Sequence, residues 1–467
     1  MFLRYVFDEN LAQASYFIGD IDSGEAIVID PARNIQPYID LAHEQGFNIV
    51  AVAETHIHAD FVSGARELAE RLDVTLLMSG EGSDDWQYTY LENYSHALLK
   101  DGDEFEIGGV KFDVLHTPGH TPEHLSFIIT DAGFEEPFAI FTGDFVFVGD
   151  VGRPDLLEKS ANEAGSSEIL ARQMFTSLER FKQLPDYLLV YPGHGAGSPC
   201  GKVIGAVPSS TVGYEKRFNP MLQHTDKDAF AAVLLEGQST PPNYFAVMKR
   251  VNRDGPKLLS EADNADRLPP LVLRNALEKN ATVVDTRPRD EFAARHLHGT
   301  LNIEHNLSFA LRAGDLIDYE LPFYVITDRP HEVKRDLQSI GLDNLAGTFK
   351  LSTFSTIERT SDIPFESYES QTPQQLQPAI ESGDVTVLDV RRDDEWNAGY
   401  IAGAVHILLG QLPARLADVP EGRPVVVHCK TGVRSAVAAS ILQANDVDVI
   451  NMAGGYDAWQ QSQAEAN

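Results

Sequence analysis

Cysteine is nearly absent from this chain: Cys200 and Cys429 are the two thiols in 467 residues. So small a number excludes a disulfide framework and points to a reducing compartment, with the cytoplasm as the expected location. Long apolar runs are missing too, so no segment is expected to span a bilayer. The N-terminal stretch MFLRYVFDEN places Asp8 and Glu9 where a secretory leader needs an apolar core. Positive charge is scarce: 37 Lys and Arg face 70 Asp and Glu, a formal net charge of −33. Such a surface repels a phosphate backbone, so nucleic-acid binding is not expected. The length allows about three domains, each large enough for its own core.

What is present is chemically pointed. In VVVHCKTGVRS (425–435) a β-branched run delivers Cys429 to a strand end, and a tight turn at Gly432 leads into the apolar helical stretch AVAASILQA. Backbone N–H groups of Lys430, Thr431, Gly432, Val433, Arg434 and Ser435, with the helix N-terminus behind them, form an anion nest over the sulfur. That field favours a thiolate and equally a terminal persulfide anion. A core cysteine at a strand end would leave this run of residues without a reason. The flanks add VLDVRRDDEWNAGYIAGAVHI (387–407) and INMAGGYDAW (450–459). Together these segments resemble the rhodanese family over about 370–467. The resemblance implies a sulfurtransferase in which Cys429 carries the sulfane sulfur and Arg434 closes a six-residue, sulfur-sized loop. Related phosphatases use a longer loop for the bulkier phosphate.

The segment repeats itself upstream. VVDTRPRDEFAARHLHGTLNI (283–303) aligns with 387–407, pairing Asp285 with Asp389 and Arg287 with Arg391; NLAG (344–347) pairs with NMAG (451–454). A second rhodanese-like unit is therefore expected over 266–356. In its loop, VITDRPHEVK, Thr327 replaces Cys429, Pro330 replaces Gly432 and Glu332 replaces Arg434. Without a thiol it cannot carry a persulfide, and a structural or docking role is expected. Polar, Pro-containing stretches at 251–270 and 361–375 read as linkers.

The first 250 residues hold a different constellation. AIVID (26–30) and NIVAVAETH (48–56) read as strands, the second running into THIHAD (55–60). Ser63 is placed to cap a helix after it. KFDVLHTPGHT (111–121), AIFTGDFVF (139–147) and YLLVYPGHG (187–195) each end a β-rich run with His or Asp beside Gly or Pro. A lone histidine in such a place is usually core. Several, all at strand ends, collect at one edge of a sheet as a metal site.

This ordered set resembles the metallo-β-lactamase fold over residues 1–250, which implies an αββα sandwich followed by two rhodanese-like α/β domains with parallel sheets. The superfamily's HxHxDH motif reads His56, His58, Asp60 and then Phe61, so the last imidazole is lost and a mononuclear centre is expected. TPGHT with TGDFVFVGDVGRPDL (142–156) looks like the persulfide dioxygenase branch. That resemblance assigns one iron(II) per chain to His56, His120 and Asp144, a facial triad with room for dioxygen and a substrate sulfur. It makes His58 and Asp60 groups that orient the ligands, leaves His194 nearby but unmetallated, and gives Arg153 a contact with the anionic thiol substrate. The alternative for His58 is direct ligation in a zinc-type site. Cys200, on a Gly-rich loop expected to be flexible, is a candidate persulfide relay.

Taken whole, the chain resembles persulfide dioxygenase–rhodanese fusions. The expected partners are a small-molecule thiol persulfide, dioxygen and sulfite: the first domain yields sulfite, and Cys429 hands sulfane sulfur to it, giving thiosulfate. Two other readings stay open, a zinc thioesterase of the glyoxalase II type beside an independent sulfurtransferase, and a persulfide sensor or carrier without turnover. The identity of the thiol is open, as is self-association, common in fusions of this size.

Overall fold

A computed structural model describes residues 1–156, 165–259 and 266–466. Two compact units divide the chain: 1–261 with 338–341, and 262–337 with 342–467. The segment 370–467 and, apart from residues 338–341, the segment 266–356 fall within the second unit.

The first unit is built on two six-stranded sheets. One runs β1 (Phe2–Asp8), β2 (Gln13–Gly19), β3 (Glu25–Ile29), β4 (Asn48–Ala53), β5 (Thr75–Ser79) and β6 (His96–Leu99) in that order. The other contains β7 (Glu104–Ile107), β8 (Val110–His116), β9 (Leu125–Thr130) and β10 (Ala139–Gly143). A small hairpin, β11 (Val146–Phe147) with β12 (Asp150–Val151), precedes its last strands, β13 (Leu189–Pro192) and β14 (Ser210–Thr211). The order of the second sheet is β14-β13-β10-β9-β8-β7.

Alternate residues from both sheets, among them Tyr16, Ile27, Ile29, Phe112, Phe127 and Phe141, fill the space between them. On the outer face of the first sheet, Tyr38 and Leu68 bring the helices Gln36–Gln45 and Ala65–Leu72 against Val28, Val52 and Leu76. On the outer face of the second, Met174 and Leu178 do the same from the helix Ser166–Phe181. Helix, sheet, sheet and helix form the expected αββα sandwich.

Ser63 does not cap its helix as the sequence suggested. The cap position is Gly64, and Ser63 Oγ accepts from Ala65 N at 2-residue range, 3.0 Å. A side chain at Gly64 would collide with the Ala32 carbonyl, so the chain is one residue further along when the helix begins.

The second unit holds two parallel sheets. The first contains β15 (Val283–Asp285), β17 (Thr300–Asn302), β18 (Phe323–Ile326) and β19 (Leu345–Phe349), ordered β17-β15-β18-β19. The pair β16 (His296–Leu297) and β20 (Phe365–Glu366) lies beside it. The second sheet contains β21 (Glu369–Gln371), β22 (Thr386–Asp389), β23 (Val405–His406), β24 (Val425–His428) and β25 (Val449–Met452). Its order, β23-β22-β24-β25-β21, repeats the first and adds one edge strand.

The proposed linker at 361–375 is therefore structured: β20, β21 and the start of the helix Pro373–Ser382 occupy it. Short edge strands have mostly exposed side chains, and their polar sequence hid them. In the other linker, the helix Phe245–Asp254 covers the first residues and the helix Pro270–Glu278 the last; positions 260–265 lie outside the described residues. Among the described residues no helix is long and apolar enough to cross a membrane.

Candidate metal centre and sulfur-carrying loop

Strands β4, β8, β10 and β13 deliver their C-terminal ends to one place, and the chemistry follows from what comes next on each. After β4 come His56, His58 and Asp60; after β8, His120 and His124; after β10, Asp144; after β13, His194. All seven are buried. His56, His120 and Asp144 present one ligand atom each within 4.8 Å of one another. His120 Nε2 stands 3.5 Å and His56 Nε2 3.9 Å from Asp144 Oδ2.

The donor atoms of this set are prepared for a cation. His120 Nδ1 donates to the Arg153 carbonyl at 2.8 Å, which leaves the Nε2 lone pair free. Thr55 Oγ1 donates to Asp30 Oδ2 at 2.9 Å, so it can only accept from His56 Nδ1, also at 2.9 Å. That relay fixes the His56 tautomer with Nε2 open as well. His56 Nε2 and Asp144 Oδ2 are buried and make no hydrogen bond. Buried polar atoms without partners are costly unless a ligand satisfies them, and this donor set fits a divalent transition metal. Burial alone would raise the Asp144 carboxyl, but the imidazoles of His194, His120 and His56 outweigh it and hold the group well below the ordinary range.

Glycine makes the close packing around Asp144 feasible. A side chain at Gly193 would meet Asp144 Oδ1 at 2.8 Å, and one at Gly152 would strike the Asp144 carbonyl. The Gly neighbours in PGH and VGR are thus explained by approach to one carboxylate.

The other expected residues sort as follows. His58 Nε2 stands 3.1 Å from Asp30 Oδ1, while its ring lies 4.3 Å from that of His56 and its buried Nδ1 has no hydrogen-bond partner. Burial opposes its charge, yet Asp30 outweighs that and holds its pKa up at about 9. His194 sits between two carboxylates, with Nδ1 2.7 Å from Asp144 Oδ1 and Nε2 2.6 Å from Asp60 Oδ2. Phe61 is 1 % exposed, its ring 4.3 Å from that of His58.

One expectation needs correction. Arg153 is neither open to a substrate nor a surface ion pair. It is 1 % exposed, its guanidinium donates to both oxygens of Asp155 at 2.7 Å, and Nη2 also reaches the Ser239 carbonyl at 2.6 Å. Its part in the centre is through its carbonyl, which orients His120. Cys200 is itself 1 % exposed on a loop whose Ala196, Gly197, Lys202 and Val203 are exposed, its carbonyl accepting from Arg153 N at 3.1 Å. With Asp60 and His194 it forms a second group whose ligand atoms lie within 4.8 Å of one another. Burial pushes the Cys200 thiol well up, and the Asp60 and Asp144 carboxylates push it the same way.

Sequence reasoning missed Asp30, Thr55, His124 and Asn252. His124 Nε2 accepts from Asp144 N at 3.1 Å, and its Nδ1 is 2.9 Å from Thr117 Oγ1. Asn252 Nδ2 straps the His58 and Phe61 carbonyls at 2.8 and 2.7 Å. An acid closing the AIVID strand and a second His in TPGHTPEH were the available signals; Asn252, in a distant helix, had none.

In the second unit, β24 ends at His428 and Cys429 follows, 1 % exposed. Gly432, at φ +95°, caps the helix Val433–Gln443, and its N–H donates to Cys429 Sγ at 3.2 Å. Only glycine adopts that backbone freely. The turn at Gly454 and Gly455 closes over the loop: Tyr456 N donates to the Cys429 carbonyl at 2.7 Å and Asp457 N to that of Lys430 at 3.0 Å. Arg434 is held by Glu395 in a two-point ion pair of 2.6 and 2.7 Å. Ser435 Oγ bonds Asn451 Oδ1 at 2.7 Å, while Lys430 and Thr431 stay exposed. Glu395, far away in sequence, was also missed.

Comparison with known proteins agrees with this division. Residues 9–194 match the metallo-beta-lactamase superfamily, and residues 372–462 match the rhodanese-like domain. The solved metallo-beta-lactamase of Staphylococcus aureus subsp. aureus COL is 40% identical, with a TM-score of 0.66, over 75% of this chain and 99% of that one. The hydroxyacylglutathione hydrolase GloC of Haemophilus influenzae is 30% identical over 43% of this chain and 89% of its own length. The mitochondrial persulfide dioxygenase ETHE1 of Bos taurus is 28% identical over 47% of this chain and 75% of its own.

Proposed function

Because the chain belongs to the metallo-β-lactamase superfamily and carries a C-terminal rhodanese-like domain, we propose that it oxidises a small-molecule thiol persulfide with dioxygen and joins the resulting sulfite to a sulfane sulfur carried by Cys429. The overall steps balance. Persulfide, dioxygen and water give thiol, sulfite and two protons; Cys429 persulfide and sulfite then give thiosulfate and the Cys429 thiolate.

The observation that carries this reading is the donor set of two imidazoles and one carboxylate; Phe61, packed on His58, stands where the resembled HxHxDH motif has a further His. His56, His120 and Asp144 would hold one iron(II), which supplies the redox chemistry and open positions for dioxygen and a sulfur donor. The chain's own residues prepare the site. Asp30 and Thr55 fix the His56 tautomer, the Arg153 carbonyl fixes that of His120, and His194 hydrogen-bonds Asp144. On the other side, Cys429 receives sulfur under the Gly432 N–H. Sulfite is a good acceptor for a cysteine persulfide, and joining both activities in one chain raises its local concentration. Sulfide detoxification or sulfur assimilation is the setting this chemistry suits.

A zinc hydrolase of thioesters is the second reading. It is favoured by the convergence of Asp60, His194 and Cys200, a group able to hold a second cation beside the first. Protein produced in iron-replete and in zinc-replete media, with bound metal counted, separates the two. The dioxygenase reading expects about one iron per chain and persulfide-dependent dioxygen uptake by the iron form alone. Two zinc ions per chain and hydrolysis of a hydroxyacylglutathione thioester would overturn it.

A further inference from the structure

The cradle around Cys429 is short of available positive charge. Arg434, in its loop, is neutralised by the two-point pair with Glu395. Arg391 is likewise committed, to both oxygens of Asp389 and to the carbonyls of Glu395 and Gly399. An acceptor such as sulfite carries two negative charges, and of the loop's own cations the exposed Lys430 is then left beside the backbone N–H groups to hold it.

A cation comes from the other half of the same unit. The helix Phe309–Leu316, in the half that lacks a thiol, packs on the turn-rich run Leu409–Asp418 of the half that has one. Leu316 packs into the core cluster that contains Cys429, Leu412 and Val437. Arg312 lies one helical turn before Leu316 and so shares that face. The two halves are tied there by Asn302 N donating to Ser440 Oγ at 2.9 Å, on the helix that begins at the Cys429 loop. Phe292 and Leu301 from the thiol-free half belong to or pack on the same core cluster. Arg312 is half-buried and within electrostatic reach of Cys429, Arg434, Arg289 and Glu304. Among the described residues no hydrogen bond or ion pair engages its guanidinium; the nearby Glu304 has Arg289 as its ion-pair neighbour, at 3.9 Å. A half-buried guanidinium without a partner is costly, and an anion bound beside Cys429 would satisfy it.

We propose that Arg312, supplied by the half that carries no thiol, binds the oxyanion of the sulfur acceptor in front of Cys429. In the step it serves, the sulfite lone pair attacks the terminal sulfur of the Cys429 persulfide. The new S–S bond forms as the old one breaks, and the electron pair stays on Cys429 Sγ as thiolate. The inference rests on the reading of Cys429 as a sulfurtransferase with an anionic acceptor. It gives the degenerate half a reason to exist beyond packing.

The test compares acceptors. Cys429 is loaded from a thiol persulfide, and transfer to sulfite and to the neutral thiol dithiothreitol is measured for wild type, Arg312→Gln and Arg312→Lys. Losing one charge-assisted contact should raise the sulfite KM about tenfold in Arg312→Gln, with kcat and dithiothreitol turnover little changed. Arg312→Lys should recover part of the loss. An unchanged sulfite KM, or an equal fall with both acceptors, would overturn the proposal. Should the wild type move no sulfur to sulfite, the Cys429 reading has failed instead. Sulfite binding by calorimetry to Cys429→Ser, with and without Arg312→Gln, then decides Arg312 separately: weaker binding in the double variant supports it, and equal binding rejects it.

Discussion

Strands β18 and β24 occupy the same place in two sheets of the same order, and each hands the chain to a loop and a helix. After β24 come Cys429 and, three residues on, the Gly432 N–H at 3.2 Å from its sulfur. After β18 comes Thr327, and at the equivalent of Gly432 stands Pro330, which has no N–H to give. Where Arg434 reaches out to Glu395, Glu332 turns back to Arg329 within its own loop. The supports below the loops are nonetheless alike: Arg287 clamps Asp285 as Arg391 clamps Asp389. The difference teaches that scaffold and cradle separate cleanly. A strand-end ion pair maintains the sheet edge in both, while three positions in the loop decide whether an anionic sulfur can be held.

Breaking the comparison at the thiol should have the largest effect. Cys429→Ser is expected to lower persulfide-dependent sulfur transfer by at least about 10³-fold. Thr327→Cys should gain none, because its loop still lacks the N–H and the cation; mass spectrometry of the persulfidated chain would check both. Next come the clamps. Removing one charge from a buried ion pair costs about 3–5 kcal/mol. Asp389→Asn should approach that figure, since the Arg391 side chain is 3% exposed, and Asp285→Asn should cost less, since that of Arg287 is 13% exposed. Denaturant unfolding of the two variants would rank them.

Gly432→Ala forces a φ of +95° on a residue with a side chain, at a cost of about 1–2 kcal/mol. It should lower transfer together with stability, read by Tm and by steady-state turnover. The smallest expected effect is a pH dependence. Burial would raise the Glu395 carboxyl, but Arg434 outweighs it and lowers its pKa from 4.5 to about 2. A depressed carboxyl stabilises the fold fully above its unfolded value and loses that contribution as pH falls toward 2. The Tm difference between wild type and Glu395→Gln should therefore narrow from pH 6 to pH 3; a constant gap would contradict the pairing.

Much of this was legible because it is local. The His and Asp motifs each follow a β-rich run, and strand ends in a sandwich meet at one edge, so a shared site could be read, while the choice of His56, His120 and Asp144 came from the family resemblance. The Cys429 loop was legible for the same reason, its cradle being contiguous in sequence. What escaped reading acts across long separations. Glu395 meets Arg434 and Asn252 straps the His58 loop only through the fold. Arg153 misled because its substrate contact was carried over from the family resemblance, whereas Asp155 two residues on satisfies its guanidinium internally. The strands β20 and β21 were hidden in a polar stretch, since an edge strand has little apolar pattern to show.

The central claim is a division of labour between the His56–His120–Asp144 centre and Cys429. The most direct measurement is dioxygen uptake by iron-loaded protein given glutathione persulfide, with sulfite and thiosulfate quantified for wild type and Cys429→Ser side by side. The account predicts that uptake persists in the variant while sulfite replaces thiosulfate as the product. No uptake with any thiol persulfide, or thiosulfate formed undiminished without Cys429, would contradict it.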